Sequence, residues 1–115
     1  MNIDIDKGFT NKDISEALKE LIEYKKSIFG KIWSYDYIGK KVGCSRQFIS
    51  QIINKEVLPP KDEYIEKIAK AFEIEPDYFM EYRIRRISEY LSKDKDYLEE
   101  CYNKIKPKKK AQKSA

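Results

Sequence analysis

The chain has 115 residues, which is enough for one domain with a modest core. Charged residues make up 38% and hydrophobic residues 41%, a balance typical of a soluble globular protein. The formal net charge of +4 is compatible with nucleic acid but does not demonstrate it. No apolar run approaches the roughly 20 residues that span a bilayer, and the first residues lack the layout of a signal peptide. We therefore expect a cytoplasmic protein with no membrane segment.

The residue types also limit the chemistry. The chain has no histidine, which removes the commonest general base and the commonest metal ligand. Its two cysteines, Cys44 and Cys101, lie far apart in unlike settings, so we expect no disulfide. We find no nucleophile-and-base pair, no glycine-rich phosphate loop and no metal-ligand cluster. The sequence therefore predicts a protein that is not an enzyme and that needs no cofactor and no metal.

Helical spacing dominates the chain, and no strand pattern is convincing. Residues 1–8 are predicted to be a flexible arm. The first helix is predicted at about 11–27, where Thr10 and Asp13 have the spacing of a capping box, and Gly30 ends it. These features predict an all-α protein whose first helix leads directly into the segment of greatest interest.

Two shorter helices follow, separated by a turn. Ile32 and Trp33 in the preceding link are expected to lie in the core. Ser34 is placed to cap the second helix, and Gly43 breaks it where a tight turn requires left-handed backbone. Ser45 is then placed to cap the third helix, whose Ile49, Ile52 and Ile53 point inward and which ends near Asn54.

The later part of the chain is also helical. Apolar spacing continues from Asp62 to Phe72, restarts at Pro76, and is interrupted at "SKDKD" before a last helix. The apolar residues of these late helices are consistent either with an extended core or with an interface: Ile84, Ile87, Leu91, Leu98 and Ile105. The arginines around them are expected to be solvated or paired with Glu81 and Glu89: Arg83, Arg85 and Arg86.

The stretch "IGKKVGCSRQFISQIIN" has the layout of a helix-turn-helix. Gly39 lies on the side of the second helix that faces the third, so the two helices can cross closely. Gly43 makes the turn, and buried aliphatic residues hold the third helix to the core. The structural residues of this motif are predicted to be Ile38, Gly39, Val42, Gly43, Ile49 and Ile52.

The third helix leaves a row of hydrogen-bonding side chains facing outward. Arginine can bind guanine with two hydrogen bonds and glutamine can bind adenine in the same way, chiefly from the first turns of a helix in the major groove. Arg46 and Gln47 occupy that turn, and Gln51 lies one turn further on. The predicted base contacts are Arg46, Gln47, Gln51 and Ser50, and the predicted phosphate contacts from this region are Ser45, Asn54, Lys55 and Lys61.

Each of these signals has a simpler explanation beside it. The polar row could be an ordinary solvated helix face, and each lysine could be a surface charge. Phe48 could pack on its neighbours or touch a thymine methyl. Cys44, just before the third helix, could be a reactive thiol of a redox switch or a small buried apolar residue. The polar row points to DNA because Gly39, Gly43, Ile49 and Ile52 are in register with it.

The stretch from Ser34 to Phe79 resembles the Cro and phage-repressor type (XRE-like) helix-turn-helix regulators, through "IGKKVG", "SRQFISQI" and "YIEKIAKAFEIEPDYF". The resemblance implies a compact five-helix domain, sequence-specific DNA binding and a homodimer. It also implies that Tyr35, where the family often has a glutamine, contacts phosphate. Other departures are Gly39 in place of alanine, Ile53 and Lys55 at the end of the third helix, and a long link "KKSIFGKIW".

Together these observations predict a repressor-like domain with one or two further helices. The predicted divisions are the arm (1–8), a DNA-binding domain (9–82), a C-terminal helical extension that enlarges the core or makes a dimer (83–106) and a basic disordered tail (107–115). The predicted function is a transcriptional regulator, most simply a repressor, whose homodimer binds a near-palindromic double-stranded operator. The alternative is a protein-interaction module, such as an antitoxin or an anti-repressor partner, that acts through its C-terminal helices.

Overall fold

The computed structural model describes residues 4–107 of the chain. Within that range the protein is all-α, as predicted, and has no strand. Two short 3-10 turns accompany the α-helices, at Asp4–Lys7 and Pro76–Tyr78. The helices are α1 (Ile14–Phe29), α2 (Tyr35–Val42), α3 (Arg46–Ile53), α4 (Asp62–Ala71), α5 (Met80–Lys93) and α6 (Lys95–Ile105). The predicted basic tail lies outside the described residues, apart from Pro107.

The chain divides after Ile84 into two compact units. The first unit contains the whole hydrophobic core, to which every helix from α1 to α4 contributes and which Phe79 completes. The spacing of three and four residues within each helix explains this packing, because it places the apolar side chains on one face. The fully buried large side chains of the core are Ile14, Leu18, Leu21, Ile38, Ile49, Ile52, Ile65, Ile68, Phe72 and Phe79.

Most of the predicted helix ends are confirmed. The Ser34 and Ser45 hydroxyls accept hydrogen bonds from the N–H groups of Tyr37 and Phe48, at 3.2 and 3.0 Å, and so cap α2 and α3. Gly30 ends α1 and Asn54 ends α3. Local sequence alone determines these ends, because each uses a side chain within three residues of the helix or a backbone that favours glycine.

The predicted start of the first helix is wrong. Asp13, and not Thr10, is the N-cap of α1: its carboxylate accepts a hydrogen bond from the Glu16 N–H. Thr10 is buried and donates its hydroxyl hydrogen bond to the Asp4 carboxylate at 2.7 Å. Asp4 belongs to a 3-10 turn within the segment that the sequence predicts to be a flexible arm. The local pattern assigns Thr10 to the cap, but its hydroxyl forms a hydrogen bond to Asp4 instead.

Two further expectations about side chains differ from the structure. In the link before α2, Trp33 is buried as predicted, but Ile32 is 59% exposed. Arg83 does not pair with glutamate; its guanidinium donates to the carbonyls of Thr10, Asp77 and Tyr78 and to the Asn11 side chain, over 2.8–3.0 Å. Arg83 thereby ties the residues just before α1 to the first turns of α5. Arg86 does form the expected pair with Glu89.

The second unit, described over residues 85–107, has no comparable core. Neither α5 nor α6 contains a buried residue. Asp94 separates the two helices and caps α6 by accepting a hydrogen bond from the Tyr97 N–H at 3.1 Å. Ile87, Leu98 and Ile105, for which core and interface are alternatives, are all exposed. Within this unit they are therefore not covered by a core of its own, and the choice between an extended core and an interface stays a prediction.

Candidate nucleic-acid interface

The turn between α2 and α3 is built as the sequence predicts. Gly43 has φ 90° and ψ 31°, the left-handed conformation that glycine adopts without cost. The N–H groups of Gly43 and Cys44 both donate to the Gly39 carbonyl, at 2.7 and 2.8 Å. These two bonds satisfy the end of α2 and turn the chain sharply into α3.

Gly39 allows the close crossing of the two helices. A Cβ atom at this position would lie 2.7 Å from the Cys44 carbonyl oxygen, a distance that packed atoms do not tolerate. The backbone of the turn therefore occupies the space that a side chain would fill. Alanine, which the resembling family often has here, would force this turn to move, so Gly39 determines the angle at which α3 is presented.

The inner face of α3 is fixed to the core. Ile49 and Ile52 are fully buried. The Ser15 hydroxyl of α1 donates to the Ile52 carbonyl, which adds a buried polar anchor that sequence patterning missed. Phe48 is half-buried, and its ring meets Tyr64 of α4 edge-on at 5.5 Å between centroids. Phe48 therefore packs on its neighbours, which is the simpler of the two alternatives given for it above.

The outer face of α3 carries the predicted base-contacting side chains. Arg46 and Gln47 lie in the first turn and are exposed, whereas Ser50 and Gln51 are half-buried. The Ser50 hydroxyl accepts a hydrogen bond from the Asn54 side-chain amide at 3.2 Å. The structure thus brings Arg46 and Gln47 together at the exposed N-terminal end of the helix and pairs Ser50 with Asn54 further along.

Arg46 occupies a position that local helix electrostatics disfavours. The N-terminal end of a helix carries partial positive charge, so acidic residues are favoured in its first turn and basic ones are not. The first turn of α3 has no acidic residue and has Arg46 instead. Two sources of positive potential therefore coincide at the exposed end of α3, an arrangement suited to an anionic ligand such as the DNA backbone.

The predicted phosphate-contacting residues are less uniform. Ser45 and Lys61 are exposed, and Tyr35 is half-buried against the core. Lys55 forms an ion pair with Asp13, at 3.0 Å between the ammonium and the carboxylate. The Glu16 N–H and then Lys55 lower the pKa of Asp13, and Asp13 raises the pKa of Lys55. Lys55 is therefore directed toward the start of α1 in this structure.

Cys44 has the environment of a packing residue. The side chain is half-buried and packs against the core. Burial raises the pKa of the Cys44 thiol, whereas a reactive thiol at neutral pH requires a lowered one. The structure therefore favours the small apolar role over the redox switch.

Residues 4–107 contain neither a metal-binding cluster nor a helix suited to cross a membrane. Among residues 4–107, no three histidine, cysteine or carboxylate side chains come together in a way that would hold a metal ion. None of the helices in that range combines the length and apolarity that a membrane crossing requires.

The geometry of α2, the Gly43 turn and α3 defines a helix-turn-helix, the class of domain that places a helix in the major groove. The comparison with protein families agrees: residues 31–79 match the helix-turn-helix family model. The matched family is the Cro and phage-repressor type (XRE-like) helix-turn-helix, a DNA-binding family, and the match covers 49 of the 115 residues. No curated protein and no solved structure that was compared matches the chain.

Proposed function

We propose that the protein is a sequence-specific regulator of transcription that reads double-stranded DNA with α3. The observation that carries this proposal is the pair of exposed side chains, Arg46 and Gln47, on the first turn of a helix held rigidly by Gly39, Ile49 and Ile52. A recognition helix contacts base edges mainly from this turn. Gln51 extends the reading surface by one turn, with Ser50 beside it.

Base reading and phosphate contact have separate roles in this proposal. Arg46 and Gln47 would each bind one base with two hydrogen bonds, worth about 1–3 kcal/mol of discrimination. Ser45, Tyr35 and Lys61 would hold the backbone and set the register without reading sequence. Lys55 and Asn54 would join them only after exchanging their present partners, Asp13 and Ser50.

The simplest mode of regulation is repression by a homodimer. Two copies related by a two-fold axis would place their α3 helices in successive major grooves, about 34 Å apart, and would therefore prefer a near-palindromic operator. Occupation of such a site would exclude polymerase from an overlapping promoter.

The test is selection from a random duplex library, followed by sequencing, with the wild type and with Arg46→Ala and Gln47→Ala. We expect a motif of two half-sites whose preference at one base position per half-site weakens about 10-fold or more in each variant. Lys19→Ala, an exposed change on α1, is the control and should leave the motif unchanged. Salt-sensitive binding to every duplex, with no enriched motif, would refute specific reading.

Lys61→Ala offers a test of the phosphate-contacting role. Loss of one phosphate contact should weaken binding to all sequences equally and should reduce the slope of log affinity against log salt by about one. A change of base preference in this variant would contradict the assignment.

A second candidate function also has an observation in its favour. The exposed apolar side chains of α5 and α6 would suit a protein-interaction module, such as an antitoxin or an anti-repressor partner. Stable co-purification of a different chain, together with weak and non-specific DNA binding, would support this candidate over the regulator.

A further inference from the structure

The second unit exposes large apolar and aromatic side chains on both of its helices. Six large residues of this unit are each 40–77% exposed, while neither of its helices contains a buried residue. A soluble protein exposes single apolar residues routinely, but a contiguous group of them marks an interaction surface. We call this group the C-terminal apolar face: Ile87, Tyr90, Tyr97, Leu98, Tyr102 and Ile105.

The side chains from the two helices form one continuous surface. A groove of about 450 Å³ is lined from α5 by Ile87, Tyr90 and Leu91, with Arg86 beside them, and from α6 by Tyr97 and Cys101. The Tyr90 and Tyr97 rings meet across it, 6.1 Å apart between centroids. The groove therefore joins the apolar stripe of α5 to that of α6.

The spacing of the face favours a helix as its partner. Ile87 and Leu91 are four residues apart, and Leu98, Cys101 and Ile105 continue in steps of three and four. This spacing makes a narrow seam along each helix, the arrangement with which helices pack on other helices. Six large, roughly half-exposed side chains present on the order of 600 Å², close to the ~800 Å² that one partner contributes to a standard interface.

Charge identifies which helical partner suits the face. From residue 85 to the end of α5 there are three basic side chains and one acidic, whereas residues 94–105 contain four acidic and two basic. A two-fold interface brings the same two surfaces together twice, so it must be complementary to itself. A basic helix beside an acidic helix meets that requirement, because α5 of each copy can lie on α6 of the other.

We propose that the C-terminal apolar face binds a second copy of this chain, with α5 and α6 of one copy packed on α6 and α5 of its partner. The proposal deepens the proposed function, on whose two-fold dimer it rests, by naming the surface that forms the dimer. The pairing covers both apolar stripes and brings opposite charges together at the two ends of the interface.

The test is sedimentation equilibrium of the full chain over a range of concentrations, without DNA. We expect a reversible dimer whose dissociation constant rises at least about 30-fold in Ile87→Glu and in Ile105→Glu, the change typical of an interface hot spot. Both side chains are exposed in the single chain, so neither substitution should unfold it. Ile28→Glu is the matched control, since Ile28 on α1 is 53% exposed and Ile87 is 56% exposed.

Three outcomes would overturn the proposal. They are a monomer at every concentration, a dimer that withstands both substitutions on the face, and equal weakening by the Ile28→Glu control. The double variant Glu99→Lys with Glu100→Lys adds a test of the charge argument. It should weaken the dimer most at low salt, because screening reduces the repulsion between basic surfaces; a variant without effect at low salt would remove charge as the reason for self-association.

The failure of this proposal is distinguishable from the failure of DNA reading. Binding to a duplex with a single half-site, taken from the selected motif, should retain its base preference in Ile105→Glu. Arg46→Ala should lose the preference and still form the dimer. If no motif is selected but the dimer forms as described, the DNA-reading proposal fails and the interface stands.

Discussion

The two units of this chain use the same apolar spacing for opposite purposes. In the first unit, the stripes on α1 to α4 pack on one another around Phe72 and Phe79, which are both fully buried. In the second, the stripes on α5 and α6 leave Ile87 and Ile105 exposed. Periodicity therefore identifies an amphipathic helix, but it does not say whether the apolar face is covered by the same chain or by another one.

The prediction with the largest expected effect replaces one isoleucine in each unit with alanine. Ile65 on α4 is fully buried and Ile87 is exposed. Ile65→Ala should lower the free energy of unfolding by about 2–5 kcal/mol, because it leaves a cavity in the core. Ile87→Ala should change it by less than about 0.5 kcal/mol in dilute protein. Urea unfolding measures both, and equal losses would mean that the two faces are equally packed.

The next effect concerns the crossing of α2 and α3. Gly39→Ala gains up to about 1 kcal/mol of helix propensity, but its Cβ meets backbone at 2.7 Å, and overpacking costs roughly 1–3 kcal/mol. We expect a net loss of about 1 kcal/mol and weaker DNA binding, because α3 must move. Lys40→Ala on the same helix is exposed and should remain within about 0.5 kcal/mol. A more stable Gly39→Ala variant would show that the turn adapts freely.

The features that sequence alone predicted are those decided within a few residues. Ser34, Gly43 and Ser45 are assigned correctly because a cap or a left-handed turn depends on one side chain and its near neighbours. The resemblance adds the arrangement of α2 and α3 because the motif is contiguous in the chain. Most of the candidate site is among these features. The helical period of α3 alone indicates which of its side chains face outward and which face the core.

The features that sequence missed depend on distant partners. Thr10 has the right spacing for a cap, but Asp4 binds its hydroxyl. Arg83 lies near glutamates in sequence, yet it binds backbone carbonyls as far away as Thr10. Lys55 pairs with Asp13 at the start of α1, a contact that the local sequence does not indicate. No spacing rule for helices predicts these contacts, because each partner lies outside the helix that the side chain belongs to or precedes.

Removal of one helix cap in each unit gives a further comparison. Ser45→Ala should lower the free energy of unfolding by about 1 kcal/mol, since α3 is part of the core. Asp94→Ala removes the cap of α6, and we expect it to reduce helical circular dichroism while leaving the unfolding of the first unit unchanged. If Asp94→Ala lowered the free energy of unfolding of the first unit as much as Ser45→Ala does, the two units would not unfold independently.

Ser45→Asp separates the cap from the DNA contact. Aspartate caps a helix as well as serine does, so stability should be retained. Its negative charge should repel the backbone and weaken binding to every duplex. Unchanged DNA affinity in this variant would remove Ser45 from the phosphate-contacting set.

The smallest effect at neutral pH concerns Tyr78, the buried tyrosine of the first unit. Burial raises the pKa of Tyr78 to about 12, above the usual value of about 10. The folded state therefore holds this proton more tightly than the unfolded state. The resulting stabilisation is complete below about pH 10 and is lost as the pH rises toward 12.

Tyr78→Phe should match the wild type within about 0.5 kcal/mol at neutral pH and should lose less stability than the wild type in alkaline solution. Urea unfolding at a series of pH values measures the difference. We expect this effect in the first unit, because Tyr78 would have to ionise inside its packed core. If the two proteins lose stability in parallel above pH 10, Tyr78 ionises without leaving its packing, and the core of the first unit is open to water at this position.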